Sequence, residues 1–139
     1  MTLADNLEFE EDIRLLIWRP HGTLNEAAVN KVLAVLSDLE ASTQQPFQRY
    51  SDTTLVHPVD LNFRYVIHVS LYRRFSYANQ PIKSAILATD ATAIHYGRLH
   101  ALLTQGSAIN VRVFQDRDEI ALWLGVPRDR LGPKSEAEK

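Results

Sequence analysis

The sequence contains no cysteine, and this absence removes several kinds of chemistry at once. Disulfide bonds, thiolate nucleophiles, iron–sulfur clusters and cysteine zinc sites all require a residue type that the chain lacks. Two histidines, His95 and His100, occur close together in a helical pattern. Because they are five residues apart rather than four, they do not share a helix face, and we predict no metal site.

Excess charge and long apolar runs are also missing. The 15 Lys and Arg against 17 Asp and Glu give a formal charge of −2, so the broad positive field of a nucleic-acid-binding protein is absent. No run approaches the roughly 20 apolar residues of a membrane helix, and the acidic start MTLADNLEFEEDI does not resemble a signal peptide. We therefore predict a cytoplasmic protein with no nucleic-acid partner and no membrane span.

Glycine-based catalytic and phosphate-binding motifs are absent as well. The sequence has no G-x-S-x-G, Walker-type or dinucleotide-binding pattern, and its HGT segment is too short for a phosphate loop. These absences predict a protein that is not an enzyme and that uses no cofactor.

Strand and helix patterns alternate through most of the 139 residues. Helix 23–39 begins with a T-x-x-E capping box of Thr23 and Glu26, and the last helix begins at Asp116 and ends at Gly125. The order predicts an α/β fold, with a largely parallel sheet flanked by about four helices. We expect one domain over residues 1–127 and a flexible charged tail over 128–139. The predicted strands are 7–12, 12–20, 46–52, 82–90 and 108–116, and the predicted helices are 23–39, 60–75, 91–106 and 116–125.

Residues 60–75 fit two patterns. They alternate as a strand would, but Phe63, Val66, Ile67 and Leu71 also have helical spacing. The length of the segment exceeds that of a usual strand, and Asp60 is a good N-cap, so we predict a helix. Its end carries a basic and aromatic cluster that could bind an anion or the acidic surface of a partner. We interpret it instead as arginines favoured by the helix dipole and aromatic rings packed on the domain. The cluster consists of Tyr72, Arg73, Arg74, Phe75 and Tyr77.

The segment RYSDTTLVHPVD, residues 49–60, is the candidate binding or regulatory loop. Its hydroxyl groups are candidate phosphate acceptors, because a phosphate is favoured near a helix N-terminus. Ser, Thr and Asp after a strand also stabilise turns by bonding to nearby backbone groups. We interpret the segment as a capped loop leading into a helix. Its candidate residues are Ser51, Asp52, Thr53, Thr54 and His57.

Three further polar residues, His21, Asp90 and Asp116, follow predicted strands. Ligands of open parallel sheets bind at the carboxyl ends of the strands, so these residues are candidates for a pocket. A hydrolytic site would use His57 as base and Asp52 or Asp90 to orient it, but no catalytic motif supports that arrangement. Asp90 and Asp116 are explained more simply as helix N-caps.

Four stretches of the sequence form a recognisable set: WRPHGTLNEAAV, RYSDTT, PIKSAILATD and VRVFQDRDEIALWLGVP. They resemble the SpoIIAA-like family of STAS-related domains, relatives of the anti-sigma-factor antagonists, and the resemblance covers roughly residues 10–127. It implies a mixed sheet of four or five strands, and it supports the helix at 60–75. In the antagonists a phosphorylated Ser lies in an Asp-Ser-Ser-Gly type segment at a helix start. Here SDTT is followed by LVHP without glycine, so the chain departs from that pattern.

The resemblance implies a non-catalytic regulatory or protein-interaction module that docks to a protein partner. The alternative is a domain that binds or senses a small ligand, an anionic metabolite or a lipid, at the carboxyl ends of the strands. A homodimer formed through a helix face or a sheet edge is compatible with either function.

Overall fold

The computed structural model describes residues 2–76 and 80–132, and it has the predicted α/β class. Tyr77 and residues 133–139 of the predicted tail lie outside the described residues. The strands are β1 (Thr2–Ala4), β2 (Leu7–Glu10), β3 (Leu15–Trp18), β4 (His21–Asn25), β5 (Gln48–Asp52), β6 (Leu55–Asp60), β7 (Ile82–Leu87) and β8 (Ile109–Phe114). The helices are α1 (Glu26–Ser42), α2 (Phe63–Ser76), α3 (Ala91–Leu103) and α4 (Arg117–Leu124), with 3-10 turns at Glu11–Ile13 and Arg128–Arg130.

The main sheet is mixed and has six strands in the order β1, β2, β3, β5, β7, β8. Strands β3, β5, β7 and β8 are parallel, while β1 and β2 add an antiparallel edge. The mostly parallel sheet is therefore confirmed. Its strand number exceeds the predicted four or five because β1, a three-residue strand, pairs with β2 beyond the predicted edge.

A second sheet of two parallel strands, β4 and β6, was not predicted from the sequence. Residues 55–60 of the predicted loop form strand β6. The two helix caps predicted at Thr23 and Asp60 are wrong, because both residues belong to these strands. Thr23 lies inside β4, and Asn25 caps α1 by accepting a hydrogen bond from the Ala28 amide. Asp60 lies at the end of β6, and the Asn62 side chain instead accepts the Tyr65 amide at the start of α2.

Helices cover both faces of the main sheet. Leu15 and Ile17 of β3 face a core with α4, whereas Leu16 of the same strand packs with α1 on the opposite side. Helices α1, α2 and α3 lie on one face, because residues of all three line the same cavity against the sheet. Crossovers of one hand between successive neighbouring parallel strands are expected to place them so. The strand β3 is therefore apolar on both faces, as its sequence predicted.

The domain continues past the predicted boundary at residue 127. Gly125 ends α4 with a φ of 73°, a left-handed conformation that glycine adopts without steric cost. The chain then forms the 3-10 turn, and the side chain of Leu131 is fully buried in the core beside α4. The predicted solvated tail is therefore wrong for Leu131, because one apolar side chain in a charged segment is enough to dock the turn.

Candidate functional site

The end of β5 forms a tightly bonded corner. The carboxylate of Asp52 accepts hydrogen bonds from the backbone amide of Thr54 at 3.0 Å and from its hydroxyl at 2.6 Å. Arg117, in the first turn of α4, donates to the same carboxylate at 2.8 Å. The buried hydroxyl of Thr53 donates to the carbonyl oxygen of Leu87 on β7, at 2.8 Å. Turn chemistry thus accounts for these polar side chains.

The electrostatics of this corner favour a fixed ion pair. Burial raises the pKa of Asp52, but the hydrogen bonds from Thr54 and Arg117 outweigh burial and hold the pKa below its usual value. Burial and the neighbouring Asp52 charge raise the pKa of Tyr50 to about 12. Asp52 is therefore an ionised partner of Arg117, bonded on several sides. Its pKa is lowered, whereas a general base at neutral pH would need a raised pKa.

The other predicted site residues do not converge on one pocket. His21 is exposed on β4 and His57 is exposed on β6. The side chain of His57 makes no hydrogen bond to a described residue. Asp90 and Asp116 accept backbone amides in the first turns of α3 and α4, so they act as the N-caps that their positions indicated. Of the eight predicted site residues, Ser51 and Thr53 line the space between the sheet and the helices, and the other six do not.

A buried polar chain joins α2 to α3. Arg73 donates to Nε2 of His100 at 3.0 Å, which leaves the ring proton on Nδ1, because a guanidinium only donates. That nitrogen donates to the hydroxyl of Ser70 at 2.7 Å, and Ser70 donates to the carbonyl oxygen of Val66 at 2.7 Å. Burial, and then the Arg73 charge, lower the pKa of His100 to about 3, so the ring is neutral at neutral pH.

This row of hydrogen-bonded side chains was not predicted from the sequence, although the spacing of its residues along the two helices indicates it. His100 continues the spacing of the buried Ala93 and Gly97 on α3, and Ser70 and Arg73 follow Val66 on α2 at the same three- and four-residue intervals. Each polar residue therefore occupies a core-facing position of its own helix. The role of His100 is thus to bond Ser70 and Arg73, which its spacing from His95 does not indicate.

A cavity of about 160 Å³ lies between the main sheet and helices α1, α2 and α3. Its walls are mostly apolar and include Leu36, Val66 and Ile86. Ser51 and Thr53 line the end nearest the strand termini, but the cavity extends beneath the helices and not outward to the predicted pocket residues.

The outward side of α2 is apolar. We call five exposed side chains the outer face of α2, and their exposed fractions run from 40% to 76%. The inward side of the helix buries the polar Ser70 and Arg73 together with Val66. The expected packing of Phe75 on the domain is wrong, because this ring is 76% exposed. The outer face consists of Phe63, Ile67, Leu71, Tyr72 and Phe75.

Comparison with known proteins bears on the fold. No protein-family model and no curated protein matches the sequence. The fold is similar to the crystal structure of an uncharacterized protein of the DUF3478 family from Shewanella loihica PV-4, described as having a SpoIIAA-like fold. That similarity covers 85% of this chain and 90% of the other, with a TM-score of 0.53 and 17% sequence identity. The fold of this chain is SpoIIAA-like.

The SpoIIAA-like fold confirms the architecture that the sequence resemblance implied. At 17% identity the similarity concerns the fold alone, and the same fold can carry different functions. Among the described helices of this SpoIIAA-like domain, none combines the length and the apolar character needed to cross a membrane.

Proposed function

We propose that this protein is a non-catalytic interaction module that docks an acidic protein partner through the outer face of α2. The observation that carries the proposal is the row of large apolar side chains that this helix leaves exposed. Ser70 and Arg73 point inward, while Ile67, Leu71 and Phe75 recur on the solvent side at intervals of four residues. Large exposed apolar patches usually mark interaction sites.

The charge of α2 indicates the chemistry of the partner. Residues 63–76 include Arg64, Arg73 and Arg74 but no Asp or Glu, and Arg64 is exposed beside the apolar stripe. A partner with an apolar ridge flanked by carboxylates would bury Leu71 and its neighbours and pair an acidic group with Arg64. An acidic amphipathic helix is the simplest shape that meets both requirements.

The same charge argument disfavours a second copy of the chain as the occupant. In a twofold symmetric dimer through this face, each α2 would meet its own copy, so two helices that carry arginines and no acidic residue would be brought together. Such pairing buries apolar surface but adds repulsion between like charges. We therefore expect a monomer in solution and a different protein on the outer face.

A non-catalytic role is supported by the state of the groups that a hydrolytic site would need. The carboxylate of Asp52 is bonded to Thr54 and Arg117, and the hydroxyl of Thr53 is bonded to a backbone carbonyl. His57 lies on the exposed side of β6 without a hydrogen bond to Asp52. These contacts stabilise the corner, and His57 takes part in none of them.

Site-specific photocrosslinking in the native cells tests the proposal. A photoreactive phenylalanine analogue at position 71 should crosslink to one defined protein, whereas the same analogue at Leu122 should not. Leu122 is a matched control, because it is an apolar residue that is 84% exposed on a different helix, α4. We expect Ile67→Glu to abolish the position-71 crosslink while the far-UV circular dichroism spectrum stays unchanged.

Two outcomes would contradict the proposal. Equal crosslinking from positions 71 and 122 would mean that exposed apolar residues capture proteins without specificity. A crosslink from position 71 to the chain itself, with a dimer on light scattering that Ile67→Glu dissociates, would make the outer face a homodimer interface instead.

A further inference from the structure

We propose that the cavity beneath α1, α2 and α3 binds a small organic carboxylate whose apolar body is about the size of one six-membered ring. This site is separate from the outer face of α2, and it lies away from the predicted strand-end residues. Three properties of the cavity carry the proposal: its volume, an unpartnered hydroxyl group in its wall, and the signs of the charges around it.

The volume sets the size of the ligand. A cavity of about 160 Å³ is close to the roughly 150 Å³ of an apolar protein cavity that accepts benzene. Leu36, Val66, Ile86 and Ala93 contribute aliphatic surface from two helices, the sheet and a third helix. The body of the ligand is therefore apolar and compact, and a long acyl chain does not fit.

A buried hydroxyl group indicates a polar end. Ser84, on β7, is only 2% exposed and lines the cavity, yet within the described part of the chain its hydroxyl has no hydrogen-bond partner. A hydroxyl group in a cavity wall can both donate and accept a hydrogen bond, so Ser84 can bond to a polar group of a ligand. Ser84 is the register partner of Arg49 on β5, so both side chains leave the same face of the sheet.

The charges around the cavity select an anion. Two arginines, Arg49 and Arg73, line it and are more than nine-tenths buried, while no Asp or Glu is among its described lining residues. Arg49 forms an ion pair with Glu40 and donates to a backbone carbonyl, so its charge is partly compensated, whereas Arg73 donates to the neutral ring of His100. A carboxylate suits guanidinium groups and can also accept from a hydroxyl, so it satisfies this end better than a neutral group.

Titration of the ¹⁵N-labelled full chain with benzoate, benzamide and inorganic phosphate tests the site. We expect benzoate to give saturable shifts of the amide signals of Ser84, Ile86 and Ala93. Benzamide has the same ring without the charge and should bind at least about tenfold more weakly, because charge-assisted hydrogen bonds are about twice as strong as neutral ones. Phosphate lacks the apolar body and should leave these signals unchanged.

Two variants and one control locate the ligand. Ser84→Ala removes the hydroxyl at almost constant volume, and we expect it to weaken benzoate about tenfold while the protein stays folded. Ala93→Leu fills the cavity and should abolish binding. Ser37→Ala is the matched control, because Ser37 is exposed on α1 and outside this cavity.

Several results would overturn the proposal. An absence of saturable shifts at the cavity amides with benzoate would rule out the site. Equal affinities of the wild type for benzoate and benzamide would mean that the site does not recognise a carboxylate. Equal affinities of the wild type and Ser84→Ala for benzoate would mean that Ser84 does not bind it. Phosphate shifting the same amides would leave an anion site without an apolar body. Ser84→Ala decides the question even if Ala93→Leu does not fold, and none of these results depends on the partner of α2.

Discussion

The buried His100 should make the protein sensitive to mild acid, and the size of the effect follows from its pKa. The folded chain holds this pKa at about 3, against 6.5 for an unperturbed histidine. The native state therefore releases a proton that the unfolded state binds between these values. Its stabilising effect is complete above pH 6.5 and is lost as the pH falls toward 3.

The limiting slope is about 1.4 kcal/mol per pH unit for a single proton. Between pH 6.5 and 4.5 the contribution of His100 to the free energy of unfolding should fall by about 2 kcal/mol, since half of the unfolded histidine is already protonated at pH 6.5. His100→Gln keeps an acceptor for Arg73 but cannot take up a proton, so this variant should lose that part of the pH dependence.

Urea unfolding followed by circular dichroism at pH 6.5, 5.5 and 4.5 measures the effect. The informative quantity is the difference between the slopes of wild type and variant, because carboxylates titrate equally in both. His95→Gln, at an exposed position of the same helix, is the matched control and should retain the wild-type slope. An identical slope for His100→Gln and the wild type would refute the buried neutral histidine.

Three further substitutions test the packing. Arg117→Met should lower the free energy of unfolding at pH 7 by about 3 kcal/mol, because it strands the buried Asp52 carboxylate, and adding Asp52→Asn should recover part of the loss. Leu131→Ala should cost about 3 kcal/mol in urea unfolding, whereas a solvated tail would give no change. Asn25→Ala should cost about 1 kcal/mol by the same assay and Thr23→Ala much less; the reverse order would restore the sequence-predicted cap of α1.

The strength of local patterns decided which elements were predictable. The helix α4 was readable because Asp116, a periodic apolar run and Gly125 mark its start, face and end within ten residues or so. The pair β4 and β6 was not readable, because neither strand has a clear alternation and each is stabilised by pairing with a segment some 35 residues away. Caps assigned from sequence at Thr23 and Asp60 failed for the same reason, since both residues are taken up by that pairing.

The candidate sites show the same division. The sequence identified Asp52, Thr53 and Thr54 as turn-forming residues, because their side chains bond to backbone and neighbours within a few positions or to the adjacent strand. It did not show that Arg117 would complete this corner, because the two ends of that ion pair are 65 positions apart. An ion pair between residues so far apart in the sequence cannot be predicted until β5 and α4 are placed beside each other.

By itself, the sequence determined the α/β class, the parallel central strands and the lack of cysteine chemistry, because these follow from composition and short-range periodicity. Only the tertiary structure decided which side of α2 faces inward. Helical spacing places Ile67 and Leu71 on one side and Ser70 and Arg73 on another, but it does not say which side meets the sheet. In the structure Ser70 and Arg73 bond to His100 on the inward side, beside the buried Val66, and the side with Ile67 and Leu71 is left for solvent or a partner.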